Sequence, residues 1–210
     1  MTELLHEIFT GKRRMLPPGI MDAIWANTLH EIHAGELHVN NLYPETYSNT
    51  HFVGAYTLLH VACAFGAVQA VQDLLVANAD SNLQCRDTGY VAMHFAVGFC
   101  RFPAPTPARI AICQMLPQKQ WAAVTTFEKN TPLFIMWNGC DPDLFQWVIQ
   151  QPRCDLSATN RTKQTVLDRL LRSGLSYDQK RLFVDMVLAE VAARKQWTPA
   201  RAAWVVACVK

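Results

Sequence analysis

TLLHVACAFGAVQAVQDLLVANADSN, running from Thr57 to Asn82, decides how the chain folds. It reads as two short helices folded back on each other. Thr57 suits the position just before the first, where its hydroxyl accepts a hydrogen bond from an otherwise unpaired N–H. Leu59, Ala62 and Cys63 recur at one-turn spacing. Gly66 fits the exit, where a left-handed backbone is easiest for glycine. Val68, Val71, Leu74 and Leu75 give the second helix one apolar face. Asn78, Asp80 and Asn82 then supply a turn.

The stretch resembles an ankyrin repeat, whose pattern is Thr-Pro-Leu-His-x-Ala-Ala-x-x-Gly, a second helix ending Leu-Leu, then Gly-Ala-Asp-x-Asn. Thr57, Leu59, His60, Ala62, Gly66, Leu74, Leu75, Ala79, Asp80 and Asn82 match in order. Leu58, Cys63 and Asn78 depart from it.

Further copies follow. A second opens near Asp87, where Tyr90-Val91-Ala92-Met93-His94-Phe95-Ala96 repeats the opening, with His94 lying 34 positions after His60. It is interrupted by Phe102-Pro-Ala-Pro-Thr-Pro107, read as a rigid loop because three prolines do not continue a helix. Ile110, Ile112, Cys113, Met115 and Leu116 then form its second helix. A third opens at Asn130-Thr131-Pro132-Leu133, with Phe134 in place of the histidine and Met136 and Trp137 at the two alanine positions. Pro142 starts the next helix. The fourth opens at Thr165-Val166-Leu167-Asp168, 34 positions after Thr131. A longer helix runs roughly from Tyr177 to Lys195, with Leu182, Phe183, Met186, Val187 and Val191 facing inward. The ankyrin period is about 33 residues.

The expected fold is therefore all-α: an ankyrin-repeat solenoid of about four to five helix-turn-helix repeats with atypical helical caps at both ends. The repeats fall at about 54–86, 87–127, 128–161 and 162–196, within a repeat region spanning 51–196. Residues 1–50 form a helical N-terminal cap or a degenerate first repeat, with helices over Thr2–Phe9 and Pro18–Ala34. Residues 197–210 form a capping helix. End units of such stacks depart from the pattern because one of their faces meets water.

Composition narrows the function. Half of the 210 residues are apolar, enough for one sizeable core. Nineteen basic and seventeen acidic residues leave a net charge of +2. That is poor material for a nucleic-acid binder, whose affinity rests on many phosphate contacts. Lys12-Arg13-Arg14 is the only basic run, read as a solvated loop. The opening Met-Thr-Glu-Leu-Leu-His-Glu lacks the basic start of a signal peptide. Thr46 to Gln72 carries no charged residue, yet its polar side chains and repeat pattern make it buried helix rather than a membrane span. Seven cysteines without regular spacing, and without a C-x-x-C pair, point to free thiols in a reducing cytoplasm. A secreted effector would meet that environment in a host cytosol.

The resemblance implies protein binding on the concave surface of turns and first helices. Carried over by position, outward first-helix residues are Phe65, Phe95, Phe99 and Asn138, with Arg169 and Arg172 at the end; Val61, Ala64 and Ile135 share that face. The turn tips supply Arg86 and Asp87, then Lys129, then Arg161 and Lys163. Such a module serves as an adaptor, an inhibitor or a secreted bacterial effector, and is not an enzyme. No cofactor or metal is expected: His30, His33 and His38 lack a clean one-turn pair and a carboxylate cluster. Partner identity and oligomeric state are open. Two other readings stand beside this one. Met15-Leu16-Pro17-Pro18-Gly19-Ile20 followed by Ile24 resembles the start of an F-box, which would make residues 15–34 a ubiquitin-ligase docking element. His60 and Cys63, one turn apart, would form a thiol–imidazole pair in a thiol enzyme.

Overall fold

Thr57 closes the start of the central helix from both sides. Its hydroxyl accepts from the His60 N–H, while its own N–H donates to His60 Nδ1 at 3.0 Å. Gly66 ends that helix in a left-handed conformation, φ +69°, and the Ala67 N–H reaches back to Ala62 O at 3.0 Å. A side chain at Gly66 would also run into Ala104, whose Cβ lies 2.3 Å from the Cβ such a residue would carry.

The computed structural model describes residues 2–9, 16–43, 55–86, 88–98, 104–136 and 141–194. Its helices are α1 (Thr2–Phe9), α2 (Pro18–His33), α3 (Leu58–Phe65), α4 (Val68–Val76), α5 (Ala92–Gly98), α6 (Thr106–Met115), α7 (Pro142–Ile149), α8 (Val166–Leu171) and α9 (Tyr177–Arg194). Two 3-10 helices, Gln118–Ala122 and Pro132–Ile135, lie between α6 and α7. Among the described residues there is no strand, only an isolated bridge between Tyr43 and Tyr56.

The helices stack in two rows. α1, α3, α5, the Pro132–Ile135 helix and α8 touch in succession in one row; α2, α4, α6, α7 and α9 do so in the other. This is an all-α repeat solenoid. The core is continuous along it, from Leu5 and Ile8 through Leu59, Met93, Ile112 and Phe145 to Val187. The N-terminal pair is tied on as well, since Asn40 Oδ1 accepts from the Asp80 N–H at 2.8 Å in the turn that follows α4.

Each sequence departure has a local reason. Asn78 replaces glycine yet takes φ +64°, a conformation asparagine tolerates. Val91 has no hydroxyl, and the His94 ring keeps one half of the cap at the start of α5 by accepting the Val91 N–H at 3.2 Å. Asp168 replaces the histidine of the fourth opening and completes the same reciprocal cap with Thr165. The third opening differs most. Thr131 makes no side-chain cap, and Pro132–Ile135 is a 3-10 turn rather than an α-helix.

Three expectations need correcting. Thr106 and Pro107 do not belong to a proline-stiffened loop; they form the first turn of α6, where a proline's missing N–H costs nothing. On α9, Leu182 is largely exposed, and Val184 takes the buried place instead. The α2 helix ends at His33, one residue short of the expected boundary. The expected capping helix at 197–210, Phe102 and Pro103, and Trp137 lie outside the described residues.

Polar bridges tie successive units where apolar contact alone would let them slide. Buried Gln120 accepts from the Met93 N–H at 3.1 Å and donates to Ser81 O at 2.6 Å, linking three segments. Buried Arg109 donates to Ala96 O at 2.7 Å. Arg194 pairs with Glu190 at 2.7 Å and donates to the carbonyls of Ile149, the last residue of α7, and of Gln151 and Cys154 beyond it. Replacing Gln120 with leucine should strand a buried N–H and a buried carbonyl, lowering the unfolding free energy by about 3 kcal/mol in urea titrations. Gln69→Ala, at a surface site, should change it by less than about 0.5 kcal/mol.

Candidate functional site

The candidate surface is built from the turns that precede the first helices. Each turn is closed by its own backbone. Cys85 N–H donates to Tyr90 O at 2.8 Å, Thr125 N–H to Asn130 O at 3.0 Å, and Asn160 N–H to Gln164 O at 3.0 Å. Neighbouring turns are also bonded to each other: Arg86 N–H to Ala55 O at 3.3 Å, Thr126 N–H to Thr88 O at 2.8 Å, and Arg161 N–H to Glu128 O at 2.8 Å. The tips therefore form a held row.

Two buried imidazoles fasten that row to the helices. His60 Nδ1 accepts from Thr57 N–H, so its proton sits on Nε2, which donates to Leu83 O at 3.2 Å. His94 repeats the arrangement one unit on, with Nε2 donating to Asn130 O at 3.2 Å. Burial pushes both rings down to about 4, against the pull of those carbonyls. They are neutral structural donors. The thiol beside His60 is that of Cys85, with Sγ 3.9 Å from Nδ1. Cys63 is fully buried and desolvation raises its thiol well above the ordinary range, which suits packing rather than nucleophilic attack.

The structure separates the expected partner-binding residues into three groups. Arg86, Lys129, Arg161, Lys163 and Arg172 are exposed, and Arg169 is half-buried. Burial raises the Tyr90 phenol against the pull of the Arg169 guanidinium. Phe65 and Phe95, by contrast, are not outward. Phe95 is 2% exposed, its ring 4.7 Å from that of His60 and edge-on to Tyr90, and Phe65 is 4% exposed. Val61 and Ala64 are buried too. The first helices lie between neighbouring pairs, so their aromatic residues are core, not docking surface. Asp87, Phe99 and Asn138 lie outside the described residues.

One exposed group was missed. Phe127, 61% exposed, stands at the tip of the second turn, which is bonded through Thr126 to the turn of Arg86 and through Glu128 to that of Arg161. Its register was readable, 40 residues after Asp87 and 34 before Arg161. Lys129 and Lys163 occupy the register position of Gly89, and all three have a left-handed backbone, φ +55°, +61° and +69°. Glycine takes that conformation freely; a lysine held there costs on the order of 1 kcal/mol.

Residues 56–87 match the family model for the Ankyrin repeat. That span holds α3, α4 and the turn after them, and the helices on either side of it continue the same two-row stack. No curated protein matches it. Among the described residues, no group of three or more His, Cys, Asp or Glu could hold a metal ion, and no helix is long and apolar enough to cross a membrane. In the F-box-like segment, Met21 and Ile24 are buried in the stack, leaving Ile20 as its exposed large aliphatic side chain.

The histidines make stability depend on pH. Unfolded, each titrates near 6.5; folded, near 4. Above 6.5 neither state binds a proton there and the burial carries no penalty. Between 6.5 and 4 the unfolded chain takes up protons that the fold refuses. Stability should therefore fall as pH drops through that window, by about 1.4 kcal/mol per pH unit for each ring. Urea titrations across the window should show it, and His94→Gln should remove one ring's share of the slope.

Proposed function

We propose that the chain is a non-catalytic interaction module that holds a partner protein against its row of turn tips and the cationic end of α8. The observation that supports this best is the backbone-bonded row itself. A surface whose neighbouring loops are already fastened together loses little conformational entropy on docking. Ankyrin repeats bind other proteins, and the exposed residues along this row include Arg86, Phe127, Lys129, Arg161 and Lys163, among which arginine is a residue type that dominates interface energetics. We place the repeats at about 54–86, 87–127, 128–161 and 162–196, with residues 1–50 as a degenerate first unit and 197–210 as a closing helix. The role is that of an adaptor, an inhibitor or a secreted effector, working in a reducing compartment where Cys63, Cys85, Cys113 and Cys154 stay as buried thiols.

Affinity capture from lysate of the source or host cells, read by mass spectrometry, tests the reading. The double variant Arg161→Glu with Arg169→Glu should lose the captured partner at least about tenfold while keeping the wild-type unfolding midpoint. Retention of the partner would show that binding lies elsewhere. Iodoacetamide at neutral pH should leave Cys63 of the folded protein unmodified, and rapid alkylation there would overturn the non-catalytic reading.

A further inference from the structure

The tips carry a pattern of charge and strain that protein binding alone does not explain. Arg86, Lys129, Arg161 and Lys163 are exposed and make no ion pair with any described residue. Surface cations in a chain of near-balanced charge are usually interspersed with acids. Here Asp87 follows Arg86 in the sequence and Glu128 precedes Lys129, while Arg161-Thr162-Lys163 carries two cations and no acid. Two of the cations, Lys129 and Lys163, sit where the backbone is left-handed and where the preceding turn has Gly89. Glycine would relieve the strain at both places. A strained position occupied twice by the same charged residue, in the same register, is a position whose side chain is used.

We propose that the row of tips docks an acidic segment of a partner protein, with Asp or Glu carboxylates facing Lys129, Arg161 and Lys163 and an apolar side chain of that segment packed on Phe127. This rests on the protein-binding reading above and names the partner's chemistry. A polypeptide is favoured over a nucleic acid for two reasons. Glu128 interrupts the row of cations, which repels a continuous line of phosphates but is avoided by discrete carboxylates. Phe127 offers a single apolar anchor, where single-stranded nucleic acids are held by successive stacking aromatics. The turn-to-turn hydrogen bonds hold the backbones that carry the cations in one row, so the row itself needs no rearrangement on docking.

The test uses the full chain and a fluorescein-labelled peptide rich in Asp and Glu around a central Leu-Phe, with a matched Asn/Gln peptide as control. The acidic peptide should bind, weakening steeply as salt rises from about 50 to about 200 mM; the neutral one should not. Lys129→Gly with Lys163→Gly should weaken binding by roughly tenfold, yet raise the melting temperature by about 2–4 °C per substitution as the strain is relieved. Phe127→Ser should weaken binding by a similar factor without changing its salt dependence. Equal binding of the neutral peptide, or undiminished binding by the double glycine variant, overturns the proposal. So does tighter binding of an oligothymidylate strand or of phosphatidylserine vesicles, which would assign the row to phosphates. If the acidic peptide fails while a captured partner is still lost with Arg161→Glu and Arg169→Glu, the acidic assignment falls and the interaction surface stands. If capture also survives those changes, the surface itself is wrong.

Discussion

A helix of eight residues does not persist by itself in water, because nucleating it costs more than its few hydrogen bonds return. α3 is such a helix, and every one of its residues is buried. It exists because α1, α4 and α5 enclose it. The same constraint passes from unit to unit. Each pair has apolar flanks that it cannot cover alone, and the next pair covers them. Everything polar in the stack is arranged around that necessity. Gln120, His60 and His94 satisfy the backbone groups that close stacking would otherwise leave without water.

This explains which parts could be read from the residues. Thr57, Gly66, Thr131 and Thr165 mark helix ends by local chemistry, and local chemistry is written in the chain. Their spacing revealed the repeat. The sides of the helices were harder. Leu58 to Phe65 is apolar almost all round, a sign of complete burial, yet the family's concave face suggested that Phe65 and Phe95 point outward. Packing between neighbours decided otherwise, and neighbours do not appear in a single repeat's pattern. Pro107 was misjudged for a related reason: the rule against prolines in helices does not hold in the first turn. Phe127 was passed over because its register places it at a turn tip but does not say whether its ring is covered. Its exposure emerges only once the turns stand side by side.

The tips and the core show opposite treatments of backbone strain. At Gly89 a side chain would lie 2.5 Å from Thr126 Oγ1, so the position next to the following turn is kept bare. One and two units further on, the same φ is imposed on lysines. Where the left-handed conformation meets packed structure it is relieved with glycine; where it meets solvent it carries charge. Glycine would relieve the strain at both lysines as it does at Gly89.

Phe134, finally, takes the place that histidine holds in the two units before it, and so the third joint has no imidazole donor reaching into the turn beyond. That joint is held by Arg161 N–H on Glu128 O, by Arg194 on the carbonyls at the end of α7 and by apolar contact, with no buried imidazole among them. The molecule is thus chemically polarised along its length. On entering an acidic vesicle it would come apart from the end nearest α3 while the α8 end stayed zipped, a directional unravelling that amide exchange would register as a gradient.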